Sequence, residues 1–245
     1  MWDFNSAFRV STFIANSHAV QKRIQKYYKQ SAQVVYPPVA KKQEHTLAQL
    51  AVEKQRLNNN IPSAFFLIVS SLHPYKKIDV AIDAFNKVKY TLVVIGDGPH
   101  KKALQKRAGR NVVLLGHQPD EIVAEYYKNC VAFIHPTEED FGISMVEAML
   151  YGKPVLAFKR GGSAEIIQHT KHGMFFSDHD PFVFADTLRK FIDNIKQGHY
   201  NSVDLQEHAE QFHSDNFKKH IRNIVKQEVL KLVNQTAEVL SLIHI

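Results

Sequence analysis

Two glutamates, Glu139 and Glu147, stand eight residues apart with a Phe141-Gly142 turn between them. Ionised carboxylates only accept hydrogen bonds, so such a pair suits a ligand rich in hydroxyl groups: a sugar, or the diol of a ribose. Other residues could serve the same ligand. Lys76 is a point charge suited to a diphosphate. Gly142 lets the backbone approach a ligand, and the amides of Ile143 and Ser144 open a helix whose positive end favours phosphate. Gly161-Gly162, before Ser163, offers a second permissive turn. Each has a plainer alternative: glutamates at a helix start are usually a solvated face, a lysine is usually just exposed, and a glycine pair can be a tight turn. Gly96-Asp97-Gly98-Pro99 is not a dinucleotide fingerprint, since it lacks the third glycine and puts Pro99 at a helix start; it reads as a turn. His73, His117 and His135 lack metal-ligand spacing, so no metal is expected. No nucleophile motif appears.

These residues need elements to position them. Apolar runs at 64–69, 91–95, 111–115, 131–134, 154–158 and 174–176 are short, rich in Val, Ile, Leu and Phe, and apolar on both faces, as buried parallel strands are. Helical patterns at 78–88, 100–108, 120–128, 143–151 and 163–169 alternate with them, which predicts an α/β fold with a doubly wound, Rossmann-like parallel sheet. The loops after five of these strands carry Ser71 and Lys76, Gly96, Gly116, Glu139 with Glu147, and Gly161-Gly162. In a parallel sheet they all reach the carboxyl edge, where ligands bind.

The first forty residues differ. A strand at 12–15, a helix at 18–30 capped by Asn16-Ser17, and a strand at 33–36 end at Pro37-Pro38. This predicts a remnant of another domain and its linker (1–40), a helical and polar connector without chemistry (41–62, with a helix at 46–57), the Rossmann-like domain (63–200) and carboxyl-terminal helices (201–245). The predicted late helices are 181–197, 205–212 and 215–233, followed by an apolar end at 240–245.

The chain of 245 residues is 44% hydrophobic and 22% charged, ordinary for a globular protein. Its formal charge of +7 suits a phosphate-bearing ligand or an anionic membrane surface. No nucleic-acid motif or dense basic run appears, so no nucleic-acid partner is expected. The lone Cys130 suits a reducing compartment, no apolar run is long enough to span a bilayer, and the Met1-Trp2-Asp3 start lacks a signal-peptide pattern. The expectation is a cytoplasmic protein, with peripheral contact at the inner membrane face as the alternative.

The chain resembles the carboxyl-terminal half of family 4 retaining glycosyltransferases of the two-Rossmann-domain (GT-B) architecture. The resemblance rests on the two-glutamate signature followed by Ala148-Met149 and Gly152-Lys153-Pro154-Val155, on Leu72-His73-Pro74-Tyr75-Lys76-Lys77-Ile78-Asp79, and on Gly96–Pro99, Gly116 and Gly161-Gly162 in order and spacing. It implies a nucleotide-diphospho-sugar donor site with no cofactor or metal: Lys76 on the diphosphate, Glu147 on the ribose, Glu139 on the transferred sugar, and the Phe141, Gly142 and Ile143 backbone beside sugar and phosphate. The style of two segments is closest to mannosyltransferases using GDP-mannose. A saccharide or lipid-linked acceptor would bind through an amino-terminal domain mostly absent here. One departure stands out: Ser71 occupies the position where the family usually has an arginine, removing a bidentate cation from the diphosphate. Two functions follow as expectations: the donor-binding half of a glycosyltransferase, or a truncated, non-catalytic nucleotide or nucleotide-sugar binding module.

Overall fold

A computed structural model describes residues 2–42 and 46–243. Met1, residues 43–45 of the predicted connector, and the last two residues of the apolar 240–245 stretch lie outside the described residues. The chain forms two compact units, Met1–Pro38 with Phe212–Ile245, and Val39–Gln211. The first begins with a short helix, α1 (Trp2–Ala7), which the sequence pattern did not predict. A parallel pair follows, β1 (Phe13–Ala15) with β2 (Ala32–Val34), joined by α2 (His18–Tyr28). Ser17 starts α2, its hydroxyl accepting from the Val20 amide at 3.1 Å.

In the larger unit α3 (Thr46–Asn58) precedes a regular alternation: β3 (Phe65–Val69), α4 (Ile78–Phe85), β4 (Thr91–Ile95), α5 (Lys101–Arg107), β5 (Val112–Gly116), α6 (Asp120–Asn129), β6 (Ala132–His135), α7 (Ile143–Leu150), β7 (Val155–Phe158), α8 (Ser163–Ile166) and β8 (Gly173–Phe176). Two further helices, α9 (Pro181–Lys196) and α10 (Ser202–Glu210), complete it. The six strands pair in parallel in the order β5-β4-β3-β6-β7-β8. The order reverses direction on either side of β3, so β3 and β6 flank the switch point where a doubly wound sheet opens a crevice. The predicted α/β, Rossmann-like sheet is the observed one.

The strands are apolar on both faces because both faces are covered. Phe66, Ile68, Leu92, Val94, Ala132 and Ile134, all buried, alternate along three strands and pack with Phe85, Leu104, Phe184, Leu188 and Phe191 from α4, α5 and α9. The residues between them turn the other way: the Phe65 ring meets Tyr126, and Phe133 meets Tyr127, both from α6. Burial of each such side chain contributes about 1.5–3 kcal/mol.

Most element boundaries differ from the sequence reading by a residue or two. Two of the larger shifts have identifiable causes. The helix predicted to reach residue 88 stops at Phe85, because the Asn111 side-chain amide takes the carbonyls of Phe85, Val88 and Tyr90 at 2.8, 3.1 and 2.8 Å. The helix predicted from 205 begins at Ser202, where Asn201 caps the Val203 amide at 2.8 Å. The chain ends in a long helix, α11 (Ser214–Ile243), which belongs to the first unit.

Candidate functional site

The carboxyl ends of β3 and β4 open onto a cavity of about 430 Å³. Ser71 and Gly96, from the loops after those strands, line it, as do His117 after β5, Asp120 at the start of α6, and Glu147 one turn into α7. Lys42 also lines it. This lysine lies in the segment read from sequence as a connector without chemistry, and it reaches Asp120 and Glu147.

Glu147 is the most closely held of these groups. Lys42 Nζ stands 3.2 Å from its Oε1 and 2.9 Å from Asp120 Oδ1. Burial opposes the lysine's charge, but its bonds to Asp120 and Glu147 outweigh that and raise its pKa above the ordinary lysine value. On the other side the buried Tyr127 hydroxyl donates to Glu147 Oε2 at 2.9 Å. Burial and the neighbouring Glu147 charge push the Tyr127 pKa well up, so the phenol remains a donor. A carboxylate offers about four acceptor sites. With one bond to the lysine and one to the tyrosine, Glu147 keeps acceptor capacity toward the cavity.

Lys76 and Glu139 form a second focus. The loop after β3 tightens into a 3₁₀ turn, Pro74–Lys76, and Lys77, in the left-handed region at φ 54°, starts α4. This turn aims the Lys76 ammonium at the Glu139 carboxylate, with which it forms a mostly buried ion pair. Thr137 fastens the two loops together, its hydroxyl donating to the Tyr75 carbonyl at 2.9 Å. A cation held on one carboxylate at a sheet edge is positioned to exchange that partner for a phosphate.

The glycine pair supports the acidic loop. The Gly162 amide donates to the Glu139 carbonyl at 2.8 Å, and Gly161 bridges Glu139 in a short parallel contact. A methyl group on Gly161 would collide with the Glu139 carbonyl oxygen, and one on Gly162 with the backbone of Phe141. Gly161 also sits at φ 64°. The two glycines therefore hold the loop that carries Glu139 and do not line the cavity. Gly142 has φ 97° and ends the loop at the amino terminus of α7, which has no side-chain cap. Phe141 beside it is buried and Ile143 is half exposed. Beneath this turn His135 is buried with Nε2 unpartnered, and burial pushes its pKa down to about 4.

Of the residues singled out in sequence, Ser71, Gly96 and Glu147 share the cavity. Lys76 and Glu139 pair with each other one loop away. Phe141, Gly142 and Ile143 join the two foci, and Gly161 and Gly162 stand behind them. Sequence reasoning missed Lys42, Asp120 and Tyr127. Tyr127 and Asp120 sit on the helical pattern of α6, and only the fold brings them to Glu147. Among the described residues no cluster of three or more His, Cys, Asp or Glu could hold a metal ion, and no helix is long and apolar enough to cross a membrane.

This is a doubly wound α/β domain whose carboxyl-edge loops gather carboxylate acceptors, lysine cations and a helix start without a side-chain cap. Residues 51–212 match the family described as glycosyl transferases group 1, and the chain belongs to that family. It is 30% identical over 148 residues to an uncharacterized glycosyltransferase of Methanocaldococcus jannaschii, a match covering 58% of this chain and 42% of that one. It is likewise 30% identical over 141 residues to the D-rhamnosyltransferase WbpZ of Pseudomonas aeruginosa, covering 54% and 37%. The chain thus spans well under half the length of these relatives. The solved structure of Anabaena HepE in complex with UDP and glucose superimposes with a TM-score of 0.78 at 23% identity, covering 92% of this chain and 66% of that one. That likeness establishes the fold.

Proposed function

We propose that this chain is the donor-binding half of a family 4 retaining glycosyltransferase that takes a nucleotide-diphospho-sugar. The observation that carries the proposal is the Glu147 carboxylate, fixed by Lys42 and Tyr127 and facing a cavity shared with Ser71 and Gly96. A ribose diol supplies the two donors that such an acceptor lacks. Lys76 exchanges Glu139 for the donor diphosphate, and the uncapped amides at Gly142 and Ile143 receive phosphate or sugar oxygens. Glu139, released from Lys76, faces the transferred sugar, and the cation and amides stabilise the departing diphosphate. No metal or cofactor has a part in this scheme. The UDP bound by the Anabaena protein supports a nucleoside diphosphate as the ligand class. The Pro74-Tyr75-Lys76-Lys77 and Glu139-Asp140-Phe141-Gly142-Ile143 segments favour GDP-mannose. The acceptor, a saccharide or lipid-linked sugar, belongs to an amino-terminal domain.

Calorimetric titration with GDP, UDP and ADP tests the proposal. Saturable binding of at least one is expected, weakened about tenfold or more in Glu147→Ala, since a hydrogen bond to a charged group contributes about 1.5–3 kcal/mol. A folded sample that takes up none of the three contradicts it.

A further inference from the structure

His135 ends β6 beside Ala157 of β7, and Glu139, four residues on, stands beside Gly161 in the same parallel sense. Both ends of this short segment thus lie along β7 and its extension. The His135 ring is 4% exposed, and its Nε2 has no hydrogen-bond partner. A methyl group on Gly142 would lie 3.6 Å from Cε1 and Nε2, so this edge of the ring faces the Gly142 turn. The charges of Glu139 and Lys76 both act on the imidazole, in opposite senses. The fold therefore keeps a buried polar nitrogen without a partner, in the neighbourhood of a carboxylate that has one. Leaving such a nitrogen unpaired is costly.

Glu139 is in the converse position. Its side chain is 25% exposed, and that of its ion-pair partner Lys76 only 15%. A diphosphate that takes Lys76 leaves Glu139 without its cation and beside new negative charge. An unpaired carboxylate at such burial is strongly unfavourable. Binding thus creates an acceptor in need of a donor, next to a donor in need of an acceptor. We propose that His135 is the second partner of Glu139: when Lys76 turns to a diphosphate, the released carboxylate accepts the Nε2–H of His135. One hydrogen bond replaces an ion pair, and no covalent bond changes. The neutral imidazole suffices as donor, and burial keeps the ring neutral down to about pH 4. His135 is then a positioning residue, which touches no ligand and acts through Glu139. The inference rests on the donor reading for the ligand that takes Lys76.

A double-mutant cycle read by calorimetry with GDP, UDP and ADP tests the proposal. Nucleoside diphosphates are used because they lack the sugar that would otherwise bond to Glu139. His135→Phe should weaken binding of the nucleotide that the parent chain takes up by about tenfold, because the released carboxylate then has no donor. In a Glu139→Gln background the same substitution should change affinity by less than about twofold, since no charge is released. A substitution that merely loosened the sheet edge would act alike in both backgrounds, so equal losses overturn the proposal. A second measurement needs no nucleotide and keeps His135 in place, because Lys76→Gln frees Glu139 directly. In its proton magnetic resonance spectrum at neutral pH the His135 imidazole N–H should move downfield from its position in the parent chain. It should return in the double variant Lys76→Gln, Glu139→Gln. An unmoved signal overturns the proposal even where a nucleotide binds. A moved signal in a chain that binds none of the three nucleotides contradicts the donor reading and leaves the His135–Glu139 exchange standing.

Discussion

Glu147 gains its orientation from two side chains that reach it from different parts of the chain. Lys42 fixes one carboxylate oxygen and Tyr127 the other. Lys42→Met should therefore loosen Glu147 and weaken nucleoside diphosphate binding several-fold, since a partly exposed ion pair contributes about 1 kcal/mol or less. Titration calorimetry of the variant checks this, and unchanged affinity would show that Glu147 needs no such partner. Ser71 lines the same cavity but supplies no charge. Ser71→Arg should tighten diphosphate binding about tenfold, because a charge-assisted bidentate contact contributes roughly 1.5–3 kcal/mol; a weaker or unchanged affinity would place the diphosphate elsewhere. At this scale the two glutamates and Lys76 were legible, because acids and a cation after predicted strands stand out in type and spacing. Lys42 was not. It lies in a polar stretch with no periodicity, 105 residues before its partner Glu147, and only the folded chain brings them together.

The loop that carries Glu139 owes its shape to the glycine pair after β7. Gly161→Ala should force the left-handed backbone at φ 64° and press a methyl group against the Glu139 carbonyl. Gly162→Ala should crowd the backbone of Phe141. Each should cost about 1–3 kcal/mol in denaturant unfolding, as overpacking at a fixed backbone does, and both should weaken donor binding more than a surface substitution does. The glycines were legible as a turn, but their target was not, since a turn residue does not reveal which loop will lie against it. The strands themselves were easily read, because burial on both faces leaves an unbroken apolar run. Helix ends were less so. Asn111, on β5's approach, stops α4 from more than twenty positions away, a tertiary hydrogen bond that no local pattern announces.

For the molecule as a whole, acid should be destabilising. Burial lowers the pKa of His135 to about 4, with the Glu139 charge opposing and Lys76 assisting. His172 is also lowered to about 4, chiefly by burial, with His208, against whose ring it packs at 3.9 Å, and Lys171 assisting and Asp204 opposing. The unfolded chain takes up protons at these groups below about pH 6.5, while the folded chain does so only near pH 4. Unfolding thus binds protons in that window, and stability should fall as the pH drops through it. For His135 alone the loss is on the order of 3 kcal/mol. Urea unfolding across the window should show a shallower decline in His135→Phe than in the parent chain; parallel declines would mean that His135 takes up its proton without unfolding.

The central claim is that one sheet edge holds a nucleoside diphosphate between Glu147 and Lys76. A crystal structure of the chain with bound nucleoside diphosphate tests it most directly. The ribose diol should lie on Glu147, the diphosphate should lie on Lys76 and the amides at the start of α7, and the Lys76–Glu139 pair should be broken. A nucleotide seated at any other face, or one that leaves both Glu147 and Lys76 untouched, would contradict the account.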